Sequence, residues 1–245
     1  MTLNKNNNFT ENFIGSIAMI FCIIYFLSPI YEIQKLIKKK INPKQMPYLI
    51  YLCTILNTET SVLYGLLVKS WPFYICNAIG CLLNIIYLVI FILNCKHTPI
   101  KKEYLILLLL TLVFGSFFSF LFLIKNLNVC GTISSFLNTF MIFAPFQKVS
   151  DSFKFKDNKF IPISITLFLF LSCLFFMIYG LMKDLDLYIT IPNILGVLFC
   201  LSQIFIWFYF EFKNKNKDNF NENNNNEKFN NENNFEEEKK NFLEK

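Results

Sequence analysis

Two asparagines in apolar surroundings, Asn77 and Asn193, are the side chains of this sequence best suited to hold a ligand. An amide side chain offers N–H donors and a carbonyl acceptor, which match the hydroxyl groups of a neutral molecule better than they match an ion. The same groups also bond between packed membrane helices, where a contact is worth about 0.6–2 kcal/mol. Their position alone is equally consistent with ligand binding and with interhelical contact.

The remaining reactive groups limit the chemistry further. His97 is the only histidine, which excludes a metal site or a triad built on histidine. The eight cysteines form no C-x-x-C pair and lie mostly in apolar stretches, where small buried side chains are expected. No G-x-x-x-x-G-K-[ST] nucleotide loop occurs. We therefore expect no enzyme, no metal or other cofactor, and no ATP-driven pump.

Seven long apolar stretches contain these polar residues and predict an all-α transmembrane protein. A helix needs roughly 20 mainly apolar residues to cross the hydrocarbon core of a bilayer. Each stretch has 18 to 25 residues, and Glu59 is the single charged side chain in all of them. The predicted spans are 13–30, 46–68, 70–94, 104–124, 126–147, 160–182 and 187–210.

The lysines outside the spans are divided unevenly between the two sides of the predicted membrane. The first, third and fifth loops contain twelve, whereas the N-terminal segment and the other three loops contain four. Short lysine-rich loops stay in the cytosol, so the N-terminus is predicted outside or in a lumen and the C-terminus in the cytosol. Arginine is absent, which argues against a nucleic-acid partner. The expected location is the plasma membrane or an endomembrane.

The sequence repeats itself at a separation of 115–116 residues. Four groups of residues recur in the same order, and each includes a proline, glycine or asparagine that helix interiors usually avoid. The matches are Pro29 with Pro145, Pro47 with Pro162, Tyr64-Gly65 with Tyr179-Gly180, and Asn77 with Asn193.

This repeat explains the odd number of spans. A three-helix unit begins and ends on opposite sides of a membrane, so a direct fusion would invert the second copy. The span 104–124 matches neither copy and restores the parallel orientation. The predicted fold is two parallel three-helix bundles joined by a linker helix (3+1+3), an arrangement found in transporters whose substrate site lies between the repeats. Its predicted parts are an outside or lumenal N-terminus 1–12, a first repeat 13–94, a linker region 95–125, a second repeat 126–210 and a tail 211–245.

The tail 211–245 is rich in asparagine, glutamate and lysine. Such a segment buries too little apolar surface to offset the entropy lost on ordering. It is therefore predicted to be disordered in the cytosol.

Several motifs, taken in order, resemble those of the SWEET family of sugar transporters across nearly all of residues 13–211. They are Phe26-Leu27-Ser28-Pro29 with Ile37-Lys38-Lys39-Lys40, Leu56-Asn57 with Tyr64-Gly65-Leu66, Ala144-Pro145, Pro162, Leu167-Phe168-Leu169-Phe170-Leu171, Tyr179-Gly180-Leu181, and Ile191-Pro192-Asn193 with Gly196. The related PQ-loop transporters carry Pro-Gln after the first span, where this chain has Pro29-Ile30. The resemblance implies facilitated movement of mono- or disaccharides by alternating access, without ion coupling.

The same resemblance implies roles for individual residues. Asn77 and Asn193 are expected to contact the sugar, and Ser61 stands at a pocket position where it is similar to monosaccharide-type members. The family often has tryptophan where this chain has Phe176, so one stacking surface for the sugar is expected to be smaller. Tyr64, Tyr179 and Asp186, near the outer span ends, resemble the extracellular gate.

Four prolines at the cytosolic ends of spans are expected to act as hinges, as the family pattern implies. Proline removes a backbone donor and clashes with the preceding helical turn. Tolerance of proline at helix ends is the simpler explanation for any one of them, but their pairing across the repeats favours hinges. They are Pro29, Pro47, Pro145 and Pro162.

Glu59 departs from the family, which usually has an apolar residue there. It is two residues from Ser61, about 200° around a helix, so it is not expected to face the same pocket. A buried carboxyl is either functional or protonated and bonded within the bundle, and both readings stay open. The alternative function is a PQ-loop-type carrier of an amino acid or another small solute, coupled to protons through Glu59. The expected partners are a small neutral sugar and the lipid bilayer, and a homo-oligomer is compatible with the sequence.

Overall fold

The computed structural model describes residues 2–39, 48–94, 126–142, 146–156, 158 and 161–243, together with 109, 112, 115, 116, 120 and 123. Its continuous helices are α1 (Thr2–Leu27), α2 (Ile30–Ile37), α3 (Tyr48–Leu67), α4 (Trp71–Asn94), α5 (Leu127–Ile142), α6 (Phe146–Phe155), α7 (Ile163–Met182) and α8 (Leu187–Leu243). The six single residues, which belong to the predicted span 104–124, are helical as well.

Several of the helices have the length and apolar composition of membrane-spanning helices. In the described part of the chain, four are long and apolar enough to cross a membrane, and they lie in Phe9–Ile37, Trp71–Asn94, Ile163–Met182 and Leu187–Lys215. The shorter apolar helix α5 occupies the predicted fifth span, and α3 occupies the second. Helices suit this environment because every backbone donor inside them is satisfied within the segment. The predicted all-α transmembrane class is confirmed.

Helix packing divides the molecule into two bundles with the same internal order. In the first bundle α4 packs against both α1 and α3, and in the second α8 packs against both α5 and α7. The bundles meet where α1 packs on α7 and where α3 packs on α5. The first helix of each repeat therefore faces the second helix of the other, as an axis along the membrane normal requires for parallel repeats.

Two glycines at matching repeat positions allow neighbouring helices to approach closely inside each bundle. A Cβ at Gly80 of α4 would overlap the ring of Phe26 in α1. A Cβ at Gly196 of α8 would lie 2.6 Å from the Cys173 sulfur and 3.2 Å from Ile142 of α5. Gly80 and Gly196 are repeat mates, and so are Phe26 and Ile142. The same packing is thus built twice from small residues at helix contacts.

Two of the four predicted hinge prolines lie in the described residues. Pro29 separates α1 from α2, and its carbonyl accepts the Ile33 N–H at 3.0 Å to begin the second helix. Pro162 directly precedes α7. Pro47 and Pro145 lie outside the described residues. The break at Pro29 agrees with the rule that proline interrupts the backbone ladder.

The C-terminal part of α8 differs from the prediction of a disordered tail, because the structure continues this helix to Leu243. After Gly196 the segment contains neither glycine nor proline, and glutamate and lysine are good helix formers. Lys215 also pairs with Glu211 one turn earlier at 3.3 Å, a contact that supports a helix. The segment therefore lacks the strongest helix breakers, and the structure has helix where the argument from missing burial predicted none.

At the other terminus, α1 begins at Thr2, so the predicted N-terminal segment 1–12 is largely helical.

Candidate functional site

A small cavity of about 60 Å³ lies between the two bundles, at the level of the paired asparagines. All six helices that make up the bundles contribute to its wall, as expected for a site at the repeat interface. The lining residues that the argument uses are Asn57, Phe73, Asn77, Asn138, Ser172, Phe176 and Asn193.

Asn77 and Asn193 hold equivalent positions in the two repeats, and both line this cavity. Each amide nitrogen donates to the carbonyl four residues earlier in its own helix, to Phe73 at 2.8 Å and to Ile189 at 2.7 Å. Both side chains are buried, at 6% and 5% exposed. One N–H of each amide is thereby used to fix the rotamer. The Asn77 nitrogen also donates to the Cys76 sulfur at 3.6 Å, and the two amide oxygens remain as ligand-binding groups.

An aromatic wall accompanies the amides. Phe176 of α7 is buried and meets Phe73 of α4 edge-to-face, with ring centroids 5.5 Å apart. The predicted stacking residue therefore does line the cavity, and the second ring beside it comes from the other repeat. The face of an aromatic ring offers a flat apolar surface against which the C–H groups of a ligand can pack.

A second amide pair at the cavity was not predicted. Asn57 of α3 and Asn138 of α5 both line it, with Nδ2 of Asn57 3.5 Å from Oδ1 of Asn138. Asn57 is 5% exposed, and its carbonyl oxygen is buried without a hydrogen-bond partner among the described residues. Such an oxygen costs free energy until a donor reaches it. The sequence signal was the repeat, since Asn57 matches Ser172, which also lines the cavity.

Ser61 and Glu59 lie elsewhere on α3. Ser61 is buried but is not part of the cavity wall, and its hydroxyl lies 3.1 Å from the Ser134 hydroxyl of α5. Its predicted role in sugar binding stays a prediction. Glu59 is half-buried, and its carboxyl group lies against Gly115 of the fourth span, where a Cβ would collide with it. Glu59 is therefore directed away from the cavity.

The outer ends of the bundles, meaning the ends that carry the α3–α4 and α7–α8 turns, are held together. The Tyr64 hydroxyl of α3 donates to Oδ1 of Asp186 at 2.7 Å. The same oxygen accepts the backbone N–H groups of Tyr188 and Ile189 at 3.1 and 3.3 Å, so Asp186 caps the start of α8. Tyr64 and Asp186, predicted as gate residues, are thus brought into contact across the repeats.

The described cavity wall offers only neutral groups. It combines amides, the hydroxyl groups of Tyr25 and Ser172, thiols and aromatic rings, and it contains no charged side chain. In the described residues no group of three or more His, Cys, Asp or Glu side chains could hold a metal ion. The arrangement suits a neutral solute with many hydroxyl groups, because an ion would lack a counter-charge at the site.

Comparison with known proteins decides the family. The family model described as "Sugar efflux transporter for intercellular exchange" matches residues 12–98 and 128–217, which are the two repeats. The chain belongs to this family. The unmatched stretch between the two segments contains the fourth span, which agrees with its role as a linker outside the repeat.

Relatives within the family align along most of their length. The bidirectional sugar transporter SWEET7b of Oryza sativa subsp. indica is 29% identical over 205 residues, covering 80% of this chain and 76% of the relative. The bidirectional sugar transporter SWEET7 of Arabidopsis thaliana is 27% identical over 212 residues, covering 82% and 80%. A solved eukaryotic SWEET transporter superposes with a TM-score of 0.74 at 22% identity, covering 84% of this chain and 98% of that one. The fold is therefore the 3+1+3 SWEET fold.

Proposed function

We propose that this chain is a facilitative transporter that carries a small neutral sugar across a membrane by alternating access. The observation that carries the proposal is the cavity shared by both repeats and lined by Asn77, Asn193, Asn57 and Phe176. A sugar presents hydroxyls around its edge and C–H groups on its faces, which matches amides at the edge and a ring on the face. The bidirectional sugar transporters among its relatives support the same substrate class.

The size of the cavity favours one sugar ring over two. Its volume of about 60 Å³ holds four to six water molecules at roughly 10–15 Å³ each by the same measure. The second amide pair, Asn57 with Asn138, adds further polar groups to the wall of this small cavity. A monosaccharide is therefore the proposed substrate, and a disaccharide would require the bundles to separate further.

Passive transport is favoured over proton coupling. Glu59 is the one carboxyl group in the predicted spans, and it faces Gly115 instead of the cavity. A coupling group acts through differential contact with the two states of the substrate site, and Glu59 has no contact with that site. We therefore propose a uniporter that follows the sugar gradient.

Alternating access fits the distribution of contacts and hinges. The Tyr64–Asp186 bond closes the outer end, while Pro29 and Pro162 lie at the opposite ends of their helices. The two repeats, 13–94 and 126–210, would rock against each other around the cavity, with 95–125 as the connection. In this scheme the protein lies in the plasma membrane, with its N-terminus outside the cell, or in an endomembrane, with its N-terminus in the lumen.

Flux through purified protein tests the proposal. The full chain is reconstituted in liposomes, and uptake of labelled glucose, fructose and sucrose is followed with and without an imposed pH gradient. We expect saturable hexose entry that stops at equal concentrations and is unchanged by the gradient, with slower sucrose entry. Empty liposomes give the leak rate. Absence of saturable flux for every sugar would overturn the substrate class, and uphill accumulation driven by protons would overturn uniport.

A further inference from the structure

A second polar contact crosses the repeats at the outer end, and the sequence did not predict it. The Ser70 hydroxyl, at the start of α4, lies 2.7 Å from the Tyr179 hydroxyl of α7. Ser70 is 0% exposed and Tyr179 is 1% exposed, so the contact is made away from solvent. It joins the first repeat to the second, as the Tyr64–Asp186 bond does.

The internal repeat relates these two contacts to each other. Tyr179 follows Tyr64 by 115 residues and Asp186 follows Ser70 by 116, so both pairs fit the repeat separation of 115–116 residues. The two turns that carry the partners are also built alike. The Ser70 N–H donates to the Gly65 carbonyl at 2.8 Å, and the Asp186 N–H donates to the Gly180 carbonyl at 2.9 Å. Each repeat thus supplies one tyrosine, and that tyrosine bonds to a residue of the other repeat.

The two contacts differ in charge. The Tyr64 hydroxyl meets the Asp186 carboxylate, whereas Tyr179 meets the neutral Ser70. The Ser70–Tyr179 contact also includes a charged group, because Nζ of Lys183 donates to the Tyr179 oxygen at 3.3 Å. A lysine N–H donating to this oxygen strengthens the bond that the same hydroxyl makes to Ser70.

The surroundings hold Lys183 at this position. Burial lowers the pKa of Lys183, and the carboxylates of Glu11 on α1 and of Asp186 and Asp184 in the α7–α8 turn oppose that effect. Three acidic groups on two elements therefore favour the charged form of the lysine beside Tyr179, although burial has the larger effect on its pKa.

We propose that Ser70, Tyr179 and Lys183 form a second latch of the outer gate, so that the outer end opens only when this contact and the Tyr64–Asp186 contact both break. The proposal rests on the proposed transport function and names Ser70 and Lys183 as positioning residues of its gate. One buried hydrogen bond changes an equilibrium by about 2- to 12-fold, so removing either latch should raise the open population by that factor. Removing both should multiply the two effects.

Hydrogen exchange of the full chain in liposomes measures opening without any substrate. Ser70→Ala and Tyr179→Phe each remove the second latch from one side, and Tyr64→Phe removes the first. We expect Ser70→Ala to speed exchange at residues 186–190, in the turn of the other repeat, as well as at 70–74. The combined Tyr64→Phe/Tyr179→Phe variant should exchange faster at both turns than either single variant. Tyr31→Phe, on the opposite side of the membrane, is the matched control and should change neither turn.

Transport kinetics give the second readout. A larger outward-open population should lower the apparent KM for sugar added outside by about 2- to 12-fold, because binding competence is no longer limited by gate opening. Lys183→Gln should shift KM in the same direction, and Ser70→Asp, which pairs a carboxylate with Lys183, should shift it the opposite way. Exchange that rises only at 70–74, with an unchanged outside KM, would reduce the contact to local packing and overturn the latch. Parent protein that shows no flux but still shows coupled exchange would contradict the proposed function and leave the latch supported.

Discussion

Each asparagine of the central pair is bonded to its own helix and still offers groups to a ligand. The amide of Asn77 donates to the Phe73 carbonyl and that of Asn193 to the Ile189 carbonyl, so both side chains are held in one rotamer before any solute arrives. Preorganised polar groups bind more tightly because less side-chain entropy is lost on binding. These bonds lie within single helices, so they support neither of the two readings that the sequence left open, and sugar binding by Asn77 and Asn193 stays a prediction.

The first prediction concerns this pair. Asn77→Ala or Asn193→Ala removes a partner from buried sugar hydroxyls, which costs about 1–3 kcal/mol, or roughly 5- to 150-fold in affinity. We expect hexose flux to be nearly abolished while the protein still reaches the membrane, as checked by surface labelling.

Asn84→Ala is the matched control for that experiment. Asn84 lies on the same helix α4, is equally buried and donates to the Gly80 carbonyl at 2.8 Å, but it does not line the cavity. Its loss should leave sugar affinity unchanged, and so should Glu59→Gln. Normal transport by both Asn77→Ala and Asn193→Ala would place the binding site elsewhere.

The second prediction concerns the unpaired oxygen of Asn57. Asn57→Ala removes this acceptor and widens the cavity, so hexose binding should weaken by about 5-fold or more for one lost hydrogen bond. A wider cavity should at the same time raise sucrose flux relative to hexose flux. Competition of unlabelled sugars against labelled glucose measures both effects. An unchanged selectivity would show that Asn57 serves only α3–α5 packing.

At the scale of helices, the break between α1 and α2 is the clearest mechanical feature. Pro29 cannot donate a backbone hydrogen bond, and α2 restarts after it with its apolar side on α4. Ile33 and Leu36 pack there with Tyr87 and Phe91, so the inner end of the first span is fixed to the third. In the proposed transport cycle, bending at Pro29 would move the outer part of α1 relative to this anchored inner part.

The third prediction tests this hinge. Pro29→Ala restores the backbone donor and lets α1 continue into α2, which should slow the conformational cycle and lower kcat more than it raises KM. Pro162→Ala should act in the same direction on the second repeat. Pro72→Ala is the control, since a proline in the first turn of α4 replaces no intrahelical bond. Wild-type kcat in both Pro29→Ala and Pro162→Ala would reduce these prolines to helix-end residues.

At the scale of the whole molecule, the two bundles are linked across one interface that contains the cavity and the outer contacts. α1 packs on α7 and α3 packs on α5, so neither bundle can rotate without changing both of these helix contacts. Rigid bundles that share one interface are suited to rocking motion around a central site.

The fourth prediction concerns the orientation of this assembly. The excess of lysine in the odd-numbered loops predicts that the C-terminus is in the cytosol and the N-terminus on the other side. Epitope tags before Met1 and after Lys245 should therefore be stained from opposite sides of selectively permeabilised cells. Detection of both tags on one side would contradict an odd number of spans and, with it, the parallel arrangement of the repeats.

The sequence by itself determined the fold class, the repeat and the central asparagine pair. Apolar stretches of bilayer length have few alternatives to helix in lipid, and a repeat of residues that helices avoid is visible without coordinates. The resemblance added Phe176 as a pocket residue and Tyr64 with Asp186 as gate residues. In the structure Phe176 lines the cavity, and Tyr64 is hydrogen-bonded to Asp186.

Only the tertiary structure decided which polar residues share a surface. Ser61 and Asn57 are four residues apart on one helix, yet Asn57 lines the cavity and Ser61 instead faces Ser134. The Ser70–Tyr179 contact likewise joins residues from different repeats. Such contacts depend on how far two bundles approach and at what angle, and these quantities come from close packing at residues such as Gly80, which hydropathy and spacing do not encode.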